Sequence, residues 1–371
     1  MKYKNLIAVL ILAFVSLSAF TEDFSKYTHV KPKATTGRTG KKSLAGNADD
    51  PAIWIHPTNP AKSLIIGVDK AEGVWIWTLE GKELTYFDPW GKVGNIDVKY
   101  GFNMGGGKRV DIVAVNLRKV TGKSNSGKLA AYSINPDWTS GSDVVKVLCD
   151  GKSTGNDISP GSYAFTLYND KAKDKMYIFE SADKAPYLPK QYELVPNAKG
   201  DGITVKHVRD LVYTGGVNEG MVADDDRGFV YIGEEVLAIH KYKAQADADP
   251  KVVSSFAPKS DGYEADREGI ALYRISPDMG YLIVTDQRAK AEGTYSVYRL
   301  YDINTEKLIK TIVPMNKDGD YLWDDDGVDA NPSPLPGFPN GIVVGHDGEN
   351  ANYPIYDWAD FAGKDLLKAG K

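Results

Sequence analysis

Residues 50–69 read DPAIWIHPTNPAKSLIIGVD, and this stretch contains the pattern on which the rest of the chain is built. A polar residue opens a short apolar segment, a turn rich in Pro and Asn follows, and a second apolar segment ends on a polar residue. Short apolar segments rich in Ile and Val and bounded by Pro and Asn are typical of β-strands. The stretch therefore predicts two strands joined by a short connection.

The same arrangement recurs along the chain. A polar residue opens each occurrence, at Asp50, Asn95, Tyr163, Glu219, Glu268 and Asp326. A second apolar segment follows each opener and ends at Asp69, Asn116, Glu180, Glu235, Asp286 or Asp347. A third segment is visible in the first five sets only. Repeated units of about fifty residues with three or four strands each predict an all-β, six-bladed β-propeller.

Closure of the predicted ring needs a further contribution, because the sixth set has no obvious third strand. We expect the missing pairing to come from the region just before Asp50. A pair of β-sandwiches is the structural alternative, but sandwiches do not repeat their opening residues in this way.

The first twenty of the 371 residues have the features of an export signal. Lys2 and Lys4 precede an apolar run from Leu6 to Phe14, and small residues follow it. A membrane anchor is the alternative, but the run is shorter than the roughly 20 residues of a spanning helix. We predict a signal peptide at 1–20, an exposed lead-in at 21–47 and one propeller domain at 48–371, in a secreted or periplasmic protein.

Composition and motifs exclude several classes of protein. Cys149 is the one cysteine, so no intramolecular disulfide forms. Lysine and arginine total 45 against 50 acidic residues, which argues against general nucleic-acid binding. The thiol-phosphatase loop and the P-loop are absent from the sequence, and its one GxSxG match, GKSTG at 151–155, lies in an all-β pattern without the helix that follows a nucleophile elbow. No covalent nucleophile is therefore apparent, and hydrolysis by metal-assisted attack of water is the remaining chemistry.

Acidic residues occupy positions that a propeller would bring together. The first strands of the blades line the central channel, so the six openers are expected to share one rim. Gathered carboxylates repel one another, and a hard cation with oxygen ligands relieves that repulsion. Zinc is disfavoured because the five histidines form no spaced pair with Cys or His. For the run Asp324, Asp325, Asp326 and Asp329, a solvated surface is the alternative to metal binding.

The chain resembles the β-propeller phytases, a family of alkaline, calcium-dependent 3-phytases. The resemblance extends from about Ala48 to Asn350 and is specific through the order of its motifs rather than through any one of them. The motifs are ADDPAIW at 48–54, LEGK at 79–82, NIDVKY at 95–100, NEGMVADD at 218–225, YIGEE at 231–235, DREGIALY at 266–273, DDDGVD at 324–329 and HDGEN at 346–350.

The resemblance implies two kinds of calcium site. Structural calcium ligands are expected at Asp320, Asp347, Glu349 and Asn350, at Asp50, and at Asp266, Glu268 and Gln287. Active-site calcium ligands are expected at Asp49, Asn95, Tyr163, Glu219, Glu235, Glu268 and Asp326. The resemblance therefore implies Ca²⁺ as the cofactor.

Phosphate-binding residues are implied by the same resemblance. Lys70 and Arg118 match the family's phosphate-binding cations, and Tyr163 is expected to share in substrate binding and catalysis. Where the family often has paired lysines, this chain has Lys70 and Ala71. The family's Lys-Glu pair aligns with Asp183 and Lys184 in reversed order, which leaves Lys184 as the expected substrate contact.

The expected reaction is hydrolysis of phytate by attack of a calcium-activated water, without a covalent intermediate. The partner is inositol polyphosphate, bound as its calcium complex. We expect a monomer with no nucleic-acid partner and no membrane association after signal removal. Two alternatives stay open: a non-catalytic, calcium-stabilised binding module, and a lactonase-like propeller hydrolase with one central metal ion.

Overall fold

The structure is a computed structural model and describes residues 23–41, 46–288 and 295–366. The predicted signal peptide lies outside the described residues. In the described ranges the one α-helix is α1 (Trp358–Ala362), and none of the helices there is long and apolar enough to cross a membrane. Single 3₁₀ turns occupy Phe24–Lys26, Pro60–Lys62, Gly141–Asp143, Lys259–Asp261 and Lys364–Leu366.

The strands form six sheets in the order in which the chain runs. Two short strands come first, β1 (Thr28–Val30) and β2 (Ala34–Thr35). Blade 1 contains β3 (Ala48–Trp54), β4 (Leu64–Asp69), β5 (Gly73–Thr78) and β6 (Glu83–Phe87). Blade 2 contains β7 (Gly91–Asn103), β8 (Arg109–Val120), β9 (Gly127–Ile134), β10 (Val145–Cys149) and β11 (Asp157–Ile158). Blade 3 contains β12 (Ser162–Asp170), β13 (Lys175–Ala182), β14 (Lys190–Pro196) and β15 (Ile203–Asp210).

The second half of the ring repeats this plan. Blade 4 contains β16 (Asn218–Asp224), β17 (Phe229–Glu234), β18 (Ala238–Lys243) and β19 (Ser254–Phe256). Blade 5 contains β20 (Ile270–Ser276), β21 (Met279–Asp286), β22 (Val297–Asp302) and β23 (Leu308–Pro314). Blade 6 contains β24 (Asp329–Asn331), β25 (Ile342–Val344) and β26 (Pro354–Asp357). The predicted six-bladed β-propeller is confirmed.

The first strands of successive blades contact one another around the ring, from β3 through β7, β12, β16 and β20 to β24 and back to β3. Within each blade the strands pair antiparallel. The openers therefore belong to the innermost strands or lie just before them, as a propeller requires.

Ring closure uses the start of the described chain. β2 pairs antiparallel with β26 of blade 6, where Thr35 is opposite Pro354, and β1 adds to β23 of blade 5 in parallel. The lead-in thus differs from the expected exposed segment, because Val30, Thr36 and Thr39 are buried. An unpaired outer strand exposes a row of backbone donors and acceptors. β1 covers the outer strand of blade 5, and β2 covers the outer strand of blade 6.

Apolar side chains pack between the blades, where each blade meets its neighbour. Trp54 and Val115 belong to a buried cluster between blades 1 and 2, and equivalent clusters occupy the other five seams. Each blade therefore buries its apolar side chains only when the neighbouring blades of the ring are in place.

Candidate active site

Three glutamates from blades 4 and 5 meet at the inner rim of the ring. Glu219 lies in β16, Glu235 directly follows β17, and Glu268 lies two residues before β20. One carboxylate oxygen of each lies within 4.8 Å of those of the other two. In the part of the chain that the structure describes, this is the one group of three such side chains close enough to share a metal ion. We call it the glutamate triad.

Backbone hydrogen bonds fix the middle member of the triad. The Glu235 N–H donates to the Val217 carbonyl at 3.1 Å, and the Glu235 carbonyl accepts from the Arg267 N–H at 2.9 Å. Val217 lies two residues before the first glutamate, and Arg267 directly precedes the third. A Cβ at Gly220 would lie 1.8 Å from the carbonyl oxygen of Glu268, so a glycine is needed where blades 4 and 5 approach.

A lysine from blade 1 lies between two buried aspartates. Lys70 Nζ is 3.0 Å from Asp49 Oδ1 and 2.9 Å from Asp326 Oδ2. Gln287 Nε2 donates to the other oxygen of Asp326, and the Asp326 N–H donates to His346 Nδ1 at 3.0 Å. The predicted phosphate-binding Lys70 thus joins blades 1 and 6 in this structure, and its contact with substrate stays a prediction.

Burial and neighbouring charge act in opposite directions on this group. Burial raises the pKa of Asp49 to about 7, although the Lys70 cation opposes the rise. Burial alone would lower the pKa of Lys70, but the Asp49 and Asp326 carboxylates outweigh it and raise that pKa. The lysine therefore stays charged.

Tyr163 links the triad to the candidate phosphate-binding arginine. Its hydroxyl donates to Glu219 Oε2 at 2.6 Å, and the Arg118 guanidinium lies 4.1 Å from the centre of its ring. Arg118 Nη2 also donates to Asp183 Oδ2 at 3.2 Å. The buried Asn95 side chain donates to the Glu219 carbonyl at 3.4 Å. These predicted residues from blades 2, 3 and 4 therefore lie together.

Two carboxylic acids of the triad, Glu235 and Glu268, resist ionisation. Burial raises the pKa of Glu235 to about 7, and the nearby Asp266 adds to the rise. Burial also raises the pKa of Glu268, with a further contribution from Asp326. The pKa of Tyr163 is raised by burial and by the adjacent carboxylates, so its hydroxyl remains a hydrogen-bond donor.

Arg118, which stacks on the Tyr163 ring, also lines a basic cavity of about 210 Å³. Lys184 lines it too, which places that predicted residue near the arginine.

The sequence analysis missed two further lysines of this cavity, Lys92 and Lys119. Partial desolvation and the positive charge of Arg118 lower the pKa of Lys92, because both disfavour its charged form. An exposed lysine at a strand end has no periodicity to reveal it.

The predicted structural ligands of blade 6 form a separate group. Asp320, Glu349 and Asn350 line one open cavity of about 500 Å³. Asp347 is buried beside them and accepts hydrogen bonds from the backbone N–H of Asn350 at 3.0 Å and from its side-chain amide at 2.8 Å. The structure therefore brings all four predicted residues to one place.

The other predicted structural ligands do not form a single group. Asp50 lies in the central channel, where its Oδ2 accepts from the Ile96 N–H at 3.0 Å. Asp266 and Gln287 are joined through the backbone, with the Gln287 N–H donating to the Asp266 carbonyl at 3.0 Å. The side chain of Gln287 reaches Asp326 instead. Asp50 thus stands apart from Asp266 and Gln287.

The donor set fits a hard cation. Glu268 Oε2 and Asp49 Oδ2 are buried and have no hydrogen-bond partner among the described residues. Buried carboxylate oxygens without partners are costly, and oxygen ligands of this kind suit Ca²⁺. The triad and the neighbouring aspartates therefore fit a calcium ion.

Comparison of the chain with known proteins identifies its family. The family described as Phytase matches residues 3–358. The 3-phytase of Bacillus subtilis (strain 168) is 31% identical over 364 residues, which cover 96% of this chain and 91% of that protein. Among solved structures, the β-propeller domain of Myceliophteria thermophila Cps50 (Swd1) aligns with 84% of this chain and 83% of that chain, at 10% identity and a TM-score of 0.44.

Proposed function

The chain belongs to the phytase family and is a phytase, and we propose that it hydrolyses myo-inositol hexakisphosphate with calcium held at the inner rim. The observation that carries this proposal is the convergence of Glu219, Glu235 and Glu268 beside Tyr163 and Arg118. Membership of the family sets aside the non-catalytic module and the lactonase-like hydrolase.

Calcium at this site would be held by the glutamate triad, with Asp49, Asn95 and Asp326 close by. When bound, the ion supplies positive charge that polarises a water molecule and neutralises phosphoryl oxygens. Burial and, to a smaller extent, neighbouring carboxylates raise the pKa values of Glu235 and Glu268, and a bound cation would stabilise the ionised carboxylates against both effects.

The side chains of the protein orient and neutralise the substrate. Tyr163 donates to Glu219 and so leaves the other glutamate oxygen free to turn towards the cation. Arg118 presents a planar guanidinium that matches phosphoryl oxygens, and Lys70 supplies a compact charge. A water molecule forms the new bond to phosphorus as the bond to the inositol oxygen breaks, without a covalent intermediate.

The basic cavity supports a polyphosphate substrate. Arg118, Lys92, Lys119 and Lys184 line it, so a phosphate neighbouring the reacting one meets cations there. Phytate carries phosphates on adjacent carbons and binds calcium itself. We propose that the substrate is its calcium complex.

We also propose a second, structural role for calcium at Asp320, Asp347, Glu349 and Asn350, where carboxylates gather away from the triad. Asp50, Asp266 and Gln287 are proposed as further structural ligands. We further propose that residues 1–20 direct export and that the protein is a monomer with no nucleic-acid or membrane partner.

One experiment tests the catalytic proposal directly. Purified protein is incubated with phytate, with calcium, with EDTA, and with EDTA followed by excess calcium or zinc, and inorganic phosphate is measured. We expect release with calcium, none with EDTA, and recovery with calcium. Full activity in EDTA, or recovery with zinc alone, would contradict a calcium centre.

A further inference from the structure

One arginine is buried at the seam between blades 4 and 5. Arg267 is 1% exposed and lies between Asp266 and Glu268 in the sequence. A buried guanidinium is unfavourable unless its donors are satisfied, so its hydrogen bonds indicate why the position holds an arginine.

Two hydrogen bonds join Arg267 to Glu235 of the triad. Its Nη1 donates to the Glu235 carbonyl at 3.0 Å, and its own backbone N–H donates to the same oxygen at 2.9 Å. Its Nε donates to the Ala257 carbonyl at 2.8 Å, and its guanidinium lies 3.9 Å from the centre of the Tyr263 ring. The guanidinium is therefore fixed by a carbonyl on either side and by an aromatic face, while its Nη2 is buried without a hydrogen-bond partner among the described residues.

The turn that carries Glu235 has little packing of its own. The next two residues, Val236 and Leu237, are 67% and 57% exposed. Side chains in solvent cannot hold a turn in place, so the position of Glu235 depends on the hydrogen bonds of its peptide groups with Val217 and Arg267.

We propose that Arg267 is a positioning residue, which holds Glu235 in the triad and thereby sets the affinity of the site for its cation. The inference rests on the proposed role of Glu235 as a metal ligand. Arg267 acts through the Glu235 carbonyl and is not itself a ligand. Partners that orient metal ligands typically change metal affinity about 10- to 100-fold when they are removed.

The test compares Arg267→Met, which keeps the stem but loses the donors, with Arg267→Lys, which keeps one charged donor. Calcium is titrated calorimetrically into chelator-treated protein, and the calcium dependence of phytate hydrolysis is measured in parallel. We expect the triad's calcium midpoint to rise about tenfold or more in Arg267→Met and less in Arg267→Lys. Saturating calcium should restore kcat in both variants, a recovery that a general loss of folding would not show.

Two reference variants make the result decisive. Arg299 is equally buried in blade 5, but it donates to Thr311 Oγ1 and to Asp286 Oδ2 rather than to Glu235. Arg299→Lys should leave the calcium midpoint unchanged, and Glu235→Gln should displace it more than either Arg267 variant.

If the folded Arg267 variants keep the wild-type calcium midpoint while Glu235→Gln shifts it, the positioning role of Arg267 is overturned, but the proposed metal site is not. An equal displacement in Arg299→Lys would also overturn it, because the effect would then belong to any buried arginine of the blade. If Glu235→Gln keeps the wild-type midpoint and activity, Glu235 is not a ligand, and both the proposed metal site and this inference fail. Should Arg267→Met not fold, Arg267→Lys gives the same comparison.

Discussion

The hydroxyl of Tyr163 lies 2.6 Å from Oε2 of Glu219, so a side chain of blade 3 is hydrogen-bonded to a carboxylate of blade 4. The same ring lies under the guanidinium of Arg118 from blade 2. One tyrosine therefore connects the candidate metal centre with the candidate phosphate-binding cation. Its position depends on three blades and would change if any of them moved.

Tyr163→Phe should lower kcat for phytate about 10- to 100-fold, because a hydrogen bond to a charged acceptor contributes about 1.5–3 kcal/mol. The phenyl ring still packs under the guanidinium, so the melting temperature should change little. Steady-state kinetics and thermal unfolding measure the two effects. Unchanged turnover in the folded variant would show that the tyrosine only fills space.

Arg118→Ala should lower kcat/KM about 100-fold or more, since it removes a charge-assisted contact to phosphoryl oxygens. Arg109→Ala is the matched control. Both arginines lie on β8, but Arg109 pairs with the exposed Asp174 at the other end of the strand. Near-normal kinetics for Arg118→Ala, or equal losses in the two variants, would move the active site elsewhere.

Lys184→Ala should raise KM for phytate several-fold while leaving hydrolysis of a phosphate monoester with a single phosphate nearly unchanged. The reason is that Lys184 lines the basic cavity beside Arg118, where a neighbouring phosphate is expected. Lys206→Ala, at an exposed position of β15 in the same blade, should affect neither substrate. A loss of activity towards both substrates in Lys184→Ala would argue against a separate phosphate contact.

Calcium affinity of the triad should increase as pH rises through about 7, because Glu235, with its pKa raised to about 7, must lose its proton before it can bind the ion. The same raised pKa predicts the opposite trend for stability without calcium. The folded protein keeps a proton that the unfolded chain releases above its ordinary value of 4.5, so the free energy of unfolding should fall as pH rises from there towards 7. Calcium titrations and melting curves across this range check both signs. A calcium midpoint that does not vary with pH would contradict the assignment.

Free calcium should raise the melting temperature through the blade 6 ligands, independently of catalysis. Saturation at a hundredfold over the dissociation constant stabilises by about 2.7 kcal/mol per site. Glu349→Gln should reduce this rise because it removes a charge from the group around Asp347.

Glu219→Gln is the companion variant, and it should abolish activity while keeping most of the calcium-dependent rise. Thermal unfolding at several calcium concentrations, with phosphate release measured on the same samples, separates the two roles. Melting that is indifferent to calcium, or equal effects of both substitutions, would leave no support for two kinds of site.

Much of the fold could be predicted because a propeller repeats its pattern locally. Each opener and second strand is a short stretch with its own apolar alternation, and these stretches became the inner two strands of every blade. The third strand of blade 6, β26, was missed. It is only four residues long and starts at Pro354, a residue that usually argues against a strand.

The site was harder to predict where it depends on residues distant in sequence. Glu219 and Glu268 of the triad are openers, and Glu235 was implied by the family resemblance. The partners of Lys70 were not predicted, since Asp326 lies 256 residues away. In the sequence, nothing distinguishes Arg267 from the other charged residues of the motif DREGIALY. Only the approach of blades 4 and 5 shows that its guanidinium meets the carbonyl of Glu235.

The pairing of β2 with β26 also has a consequence for biosynthesis. Residues 34–35 leave the ribosome early, whereas their partner strand, Pro354–Asp357, is made more than three hundred residues later. Until then blade 1 has no neighbour on one side, and the apolar seam that it shares with blade 6 is open to water. Such distant pairing folds slowly and leaves apolar surface available for aggregation. We expect the nascent chain to need protection by a chaperone, or transport in an unfolded state, until its last strand has been synthesised.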